Sequence, residues 1–378
     1  MRIGIEAWGL SGDMLNTGMG TYTARLLQGL ARTSDVSVIA YVGPNEERPA
    51  WLDAGVGWQP VGRRLPAKFT ALASRSLPLN RRLKADRIDV FHSASFHCRP
   101  QFPQVPSPPC PLVVTLHDLI IQTYYDPRTL PLRQQIFSGW NLRRAIKAEA
   151  VVAVSEYGRD QIVDYFNCPA DRIHVIPNSI DFPPNSDPEV LRRWGVAAPY
   201  LLFAGSYEPR KNLTGALEAF ASLVGDGLPH QLVAVVERES GHSPGIRPLI
   251  ERLGLVDRVR LVDSLPESDL RALYTQAEAL FFPSFAEGFG YPPLQAAACG
   301  LPAVVSDLPP LRETLGTWPV FVDPHRPLEM AAAIGELLGD AGARARMRAA
   351  GPDLAAKFSL VGNVGAHLDV YRSLTLGR

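Results

Sequence analysis

At 378 residues the chain is long for a single hydrophobic core, so two domains are the default organisation. Its 46% hydrophobic and 20% charged content excludes a disordered or fibrous protein, and a net charge of zero gives no field to recruit nucleic acid. Four scattered cysteines (Cys98, Cys110, Cys168, Cys299), with no C-x-x-C and no metal-ligand spacing, suit a reducing compartment.

The first segment, MRIGIEAWGL, carries Glu6 where a signal peptide would need an apolar core, so it reads as a buried strand. No apolar run approaches the ~18–20 residues of a membrane span, and the expected location is cytoplasmic. Short apolar runs then alternate with helical patterns along the whole chain. Strands are predicted at Arg2–Ala7, Val36–Tyr41, Val90–Ser93, Leu112–Leu116, Ala150–Val154 and His174–Ile176. A second series follows at Tyr200–Ala204, Gln231–Val236, Val259–Leu261, Ala279–Phe282, Ala303–Ser306 and Val320–Val322. Strand–helix alternation signals parallel sheets covered by helices, and two such series imply two doubly wound domains. The break at IDFPPNSDPEV, residues 180–190, places the boundary: residues 1–182, residues 183–355, and a C-terminal helical segment 356–378 able to cross back to the first domain.

Ligands in open parallel sheets sit beyond the carboxyl ends of the strands, and the notable residues fall there. In NTGMGTYTARLL, Gly18 and Gly20 lie in a loop entering a helix, where bare amides could approach a phosphate or merely form a flexible turn. Residues 63–87, RRLPAKFTALASRSLPLNRRLKADR, hold eight basic residues and one acidic with leucines between. They suit either a solvated helix or one resting on an anionic membrane face. FPQVPSPPCP, residues 102–111, is a loop inside the first domain. His117 and Asp118 follow the strand ending at Leu116; the histidine is placed to touch a ligand, and Asp118 to orient the ring or cap the next turn.

In the second half, LLFAGSYEPRKNLTGALEAF brings Arg210 and Lys211, after a Gly205-Ser206 turn, to a helix that Asn212 can cap. Adjacent cations at a helix N-terminus make a site for a diphosphate, although a surface pair with Glu208 would look the same. In SFAEGFGYPPLQAAACGLPAVVSD, Glu287 stands among Gly288, Phe289 and Gly290 just ahead of a helix opened by Pro292 and Pro293. A carboxylate there can hold sugar hydroxyls while helix amides face phosphate, or it can simply cap the helix. Gln295 lies about one turn into that helix, one side chain from the same pocket.

With these motifs in order, followed by VSEYGRD, VIPNSID and a final FSL, the chain resembles the retaining glycosyltransferases of family 4 nearly end to end. The resemblance implies the α/β GT-B fold: two facing Rossmann-like, doubly wound domains with an interdomain cleft, the first binding the acceptor and the second the nucleotide sugar. It implies catalytic roles for His117, near the transferred sugar, for Arg210 and Lys211 on the leaving diphosphate, and for Glu287 on the sugar's hydroxyls. Gly18, Gly20, Gly205, Gly288, Phe289, Gly290, Leu294 and Gln295 are the implied donor-binding positions. Two residues depart from the family pattern. Gln295 replaces a second glutamate that holds the ribose, at a cost of ~1–2 kcal/mol or roughly tenfold in donor affinity. Glu237, in VVERES, stands where a glycine is usual. The implied reaction moves a hexose, mannose or rhamnose as first guess, from a nucleotide diphosphate sugar to a hydroxyl of a glycan, lipid-linked or small-molecule acceptor. No metal or other cofactor is expected, and no nucleic acid partner. A nucleotide-sugar epimerase of the same fold, and a binding subunit that no longer transfers, are the alternatives.

Overall fold

The computed structural model describes residues 1–10, 17–62, 76–94, 107–129, 131–236, 245–263 and 265–376. Within the segments singled out above, residues 63–75, Cys98, residues 102–106 and Glu237 lie outside them. The chain forms two compact units: Met1–Ser179 together with Leu360–Arg378, and Ile180–Ser359.

The first unit is built on a seven-stranded parallel sheet. Its strands are β1 (Arg2–Glu6), β2 (Ser37–Val42), β3 (Gly57–Pro60), β4 (Val90–Ser93), β5 (Leu112–Leu116), β6 (Ala150–Ala153) and β7 (Ile173–Val175), in the order β3-β2-β1-β4-β5-β6-β7. Central strands such as β5 and β6 are buried throughout because both sheet faces are covered, which is why they read as continuous apolar runs. One covering layer carries Leu26, Leu27 and Leu30 of helix Gly18–Ala31 with Val364, Leu368 and Tyr371 of helix Leu360–Thr375. The other carries Leu79 and Leu83 of helix Ser76–Ala85, Leu142 and Ala145 of helix Leu132–Ala145, and Ile162 of helix Glu156–Phe166. Gly29 is where the first two helices touch: a Cβ there would lie 2.3 Å from Val364 Cγ2.

Edge strand β3 escapes the sequence reading. GWQP has neither alternation nor an apolar run, and it is half-exposed at the sheet edge, where Pro60 costs no ladder hydrogen bond on its open side.

The second unit has a six-stranded parallel sheet of β8 (Tyr200–Gly205), β9 (Gln231–Val236), β10 (Val259–Asp263), β11 (Ala279–Phe282), β12 (Ala303–Ser306) and β13 (Val320–Val322), in the order β10-β9-β8-β11-β12-β13. In both sheets the order reverses beside the first strand, at β1/β4 and at β8/β11. Loops leaving those strand ends diverge to opposite faces and open a crevice, the usual ligand position in such sheets.

Candidate functional site

The loops after β8 and β11 bring together Arg210, Lys211 and Glu287, the charged candidates of the second unit. After β8 the chain makes a single turn of 3₁₀ helix, Pro209–Lys211. Asn212 then adopts a left-handed conformation (φ 57°), which asparagine tolerates better than most residues. Its side chain caps helix Leu213–Gly225 by accepting from the Gly215 amide at 3.0 Å. The same side chain donates to the carbonyls of Pro283, at 3.0 Å, and Pro324, at 2.9 Å. One buried amide thus fixes the β8 loop against the loops after β11 and β13. The Phe285 amide donates to the Arg210 carbonyl at 2.7 Å and adds a direct backbone clamp.

Held this way, Lys211 Nζ lies 2.7 Å from Glu287 Oε1, and Arg210 Nη1 lies 3.5 Å from Glu287 Oε2. Arg210 also pairs through Nε with Glu208 at 2.7 Å. Lys211 and Glu287 are nearly enclosed, their side chains 11% and 7% exposed, so this is a buried ion pair rather than a surface one. Burial pushes the Glu287 carboxyl up, but the adjacent Lys211 and Arg210 charges outweigh it and leave the group below the ordinary carboxylate range. Burial also draws the Lys211 ammonium below the ordinary lysine range, against the opposing pull of Glu287. Glu287 is therefore ionised at neutral pH, and its charge opposes loss of the Lys211 proton. Lys211 has three donors, of which Glu287 engages one at this distance.

Glu287 enters the loop that starts helix Tyr291–Ala298. Gly290 caps it at φ 95°, and a Cβ there would meet Leu311 Cδ2 at 2.3 Å, so only glycine fits. Phe289 and Leu294, both expected at the donor, are core residues: Phe289 packs on Tyr291 and Phe358, and Leu294 is fully buried. Gln295 Oε1 accepts from the Tyr274 hydroxyl at 3.2 Å. Burial, with Cys299 adding to it, holds the Tyr274 phenol far above its ordinary value, so it remains a donor.

In the first unit, His117 follows β5 and donates through Nε2 to the Ala94 carbonyl at 2.9 Å, next to β4. Asp118 caps the following turn, accepting from the Ile120 amide at 3.1 Å. Gly18 and Gly20 are not in a loop, as the sequence suggested. They form the first turn of helix Gly18–Ala31, and Thr17 Oγ1 already accepts from the Gly20 amide at 3.1 Å. The cap removes that amide from the donors available to a phosphate.

Beneath His117 lies a polar network that sequence reasoning missed. The edge of Tyr22 packs on the His117 ring, centroids 4.9 Å apart. The Tyr22 hydroxyl is 2.7 Å from His367 Nε2 and 2.8 Å from Thr115 Oγ1. His92 bridges Thr115, at 2.8 Å, and the Tyr371 hydroxyl, at 2.6 Å. His367 Nδ1 lies 2.8 Å from the Asn363 carbonyl, which can only accept, so Nε2 is the acceptor for Tyr22. Burial lowers the His367 pKa to about 4 and that of His92 well below its ordinary value. Glu6, at the end of β1, is a second omission; it accepts a short hydrogen bond from Ser93 at the end of β4. A carboxylate in an otherwise apolar strand was its only signal.

Comparison with known proteins places this architecture. Residues 16–182 match the model described as Glycosyltransferase Family 4, and residues 193–353 match Glycosyl transferases group 1. Among curated proteins, O-antigen chain mannosyltransferase B of Escherichia coli is 31% identical over 269 residues, covering 69% of this chain and 70% of that protein. Sucrose-phosphate synthase from Thermosynechococcus elongatus superposes with a TM-score of 0.78 at 18% identity over the whole of both chains. Anabaena HepE, solved with UDP and glucose, gives 0.76 at 19% identity over 99% of this chain and 100% of that one. These are GT-B structures, and the two doubly wound units share their fold. With both halves matched in order and a relative aligned over most of its length, the chain belongs to the family 4, group 1 glycosyltransferases, enzymes that transfer sugar from a nucleotide sugar.

Proposed function

We propose that this glycosyltransferase moves a hexose, mannose first, from a nucleotide diphosphate sugar to a hydroxyl of a glycan or lipid-linked acceptor in glycoconjugate synthesis, with retention of configuration. The observation that carries the reading is the Arg210–Lys211–Glu287 cluster at the β8/β11 crevice. Mannose follows from the O-antigen mannosyltransferase to which the chain is similar. The nucleotide diphosphate is consistent with the UDP held by HepE.

On this reading the second unit binds the donor and the first the acceptor. Arg210 and Lys211 take up charge as the diphosphate departs, the step where fixed electrostatics gives most of the acceleration. They occupy the role a divalent cation has elsewhere, so the reaction is proposed to be metal-independent. Glu287, held ionised, accepts from the hydroxyls of the transferred sugar, and His117 contacts that sugar. A leaving phosphate oxygen takes the acceptor's proton on the face it vacates, which retains configuration without an enzymic nucleophile. On this reading the enzyme works in the cytoplasm, at the inner face of the membrane when the acceptor is lipid-linked.

The test is incubation with GDP-, UDP-, dTDP- and ADP-sugars and candidate acceptors, following nucleotide release and the anomeric proton of the product. A retained-configuration glycoside is expected. An inverted product would remove the front-face mechanism, and binding without transfer or hydrolysis would favour the binding-subunit alternative.

Gln295 supplies a separate prediction. Gln295→Glu is expected to tighten nucleoside diphosphate binding by roughly tenfold, because a carboxylate gives the ribose a charge-assisted bond while still accepting from Tyr274. Calorimetry reads it directly, and an unchanged affinity would show that position 295 does not touch the ribose.

A further inference from the structure

The first unit has a switch point of its own, at β1/β4, and a carboxylate stands in it. Glu6 is the last residue of β1 and is 9% exposed. β1 pairs with β4 so that Ile5 faces His92, which sets Glu6 beside Ser93, the last residue of β4. Ser93, itself buried, donates to Glu6 Oε2 in a short hydrogen bond. Alternation along the strands turns both side chains to the face that carries Phe91, away from His92 and its partner Tyr371.

A clamp between two strands would not need a charge there. The backbone ladder already joins β1 to β4, and a neutral side-chain oxygen would accept from Ser93 as well. Withdrawing a carboxylate from water is costly, and one hydroxyl offsets little of that cost. What the charge adds is strength as an acceptor toward hydroxyl donors. The next residue of the same strand end is Ala94, whose carbonyl accepts from His117 Nε2 at 2.9 Å. Glu6 and His117 are therefore tied to consecutive residues, one through the Ser93 side chain and the other through the Ala94 backbone.

We propose that Glu6 is an acceptor-binding residue, its carboxylate accepting from a hydroxyl of the sugar that receives the transferred hexose. The assignment rests on the transfer reading above, in which His117 contacts the transferred sugar, and it sets the two sugars side by side at the end of β4. It also names the acceptor's chemistry. A neutral sugar supplies donors to Glu6, whereas a phosphorylated one would bring a second anion against a buried carboxylate. Glu6 holds the acceptor; the proton still leaves to the departing phosphate.

The test supplies the intact protein with its nucleotide sugar and two acceptor sets: octyl glycosides of mannose, galactose, glucose and N-acetylglucosamine, and phosphate monoesters of the same sugars. The wild type is expected to transfer to a neutral glycoside, and at least about tenfold less well to any phosphate. Glu6→Gln, whose amide oxygen can still accept from Ser93, is expected to raise the acceptor KM by roughly tenfold, with the affinity for nucleoside diphosphate unchanged. Its melting temperature is expected to hold or rise, because a buried charge is gone. An unchanged acceptor KM, a nucleotide affinity that falls along with the acceptor's, or a preference for the phosphates would overturn the assignment and leave transfer itself standing. A lower melting temperature with an unchanged KM would reduce Glu6 to a clamp between β1 and β4. Absence of transfer by the wild type to every acceptor would remove the transfer reading, and this assignment with it.

Discussion

Lys211→Ala is expected to lower turnover by about 10²–10³-fold, the scale on which a single preorganised charge acts on a developing anion. Two effects are superimposed in that variant. It removes the cation assigned to the leaving diphosphate, and it strips the buried Glu287 carboxylate of its partner at 2.7 Å. Removing one member of a buried pair costs on the order of 3–5 kcal/mol of stability, moderated here because Arg210 remains 3.5 Å from the same carboxylate. The double variant Lys211→Ala/Glu287→Gln separates the effects. Its neutral amide no longer needs a cation, so the melting temperature is expected to recover while turnover stays low. Recovery of turnover in the double variant would make Lys211 a structural partner of Glu287 and nothing more.

The second large effect is on stability in acid. His367 and His92 are buried neutral in the first unit, with the His367 pKa drawn down to about 4 from an ordinary 6.5. In the unfolded chain both rings take up protons below about pH 6.5. The unfolded state therefore binds more protons than the folded one, and stability rises with pH through this window. The contribution is complete above about pH 6.5 and is lost as pH falls toward 4. A depression of that size makes His367 worth ~3 kcal/mol, and His92 acts with the same sign. Urea unfolding from pH 7.5 to 4 is expected to show this loss, and His367→Gln, which cannot titrate, to flatten it. An equal slope in the variant would place the acid sensitivity elsewhere. The expected consequence for activity is indirect: Tyr22 connects His367 to the His117 ring, so acid would loosen the candidate catalytic histidine before it unfolds the unit.

What the sequence discloses depends on whether the physics is local. The central strands were legible because burial on both faces forces runs such as LVVTL and AVVA, while β3 was not because an edge strand carries no such constraint. The loop around Glu287 was legible because glycine and paired prolines specify a turn into a helix, and the structure brings Arg210, Lys211 and Glu287 together as those motifs suggested. The pairing with Glu208 was among the sequence alternatives and is found at Arg210, whereas the pairing of both cations with Glu287, made through loop geometry, was not disclosed. Gly18 and Gly20 looked like a bare phosphate loop, but both lie in the first turn of a helix, where Thr17 caps the Gly20 amide. The network under His117 was invisible for the plainest reason. His92 meets Tyr371 across 279 positions, and nothing in either neighbourhood marks the pair.

The central claim is that the crevice at β8/β11 holds the diphosphate of the donor. Calorimetric titration of GDP, UDP, dTDP and ADP into the intact protein and into Lys211→Ala tests it most directly. The account predicts clear affinity for one of the four, weakened by tenfold or more in the variant. Absence of affinity for every nucleotide, or an affinity that Lys211→Ala leaves untouched, would contradict it.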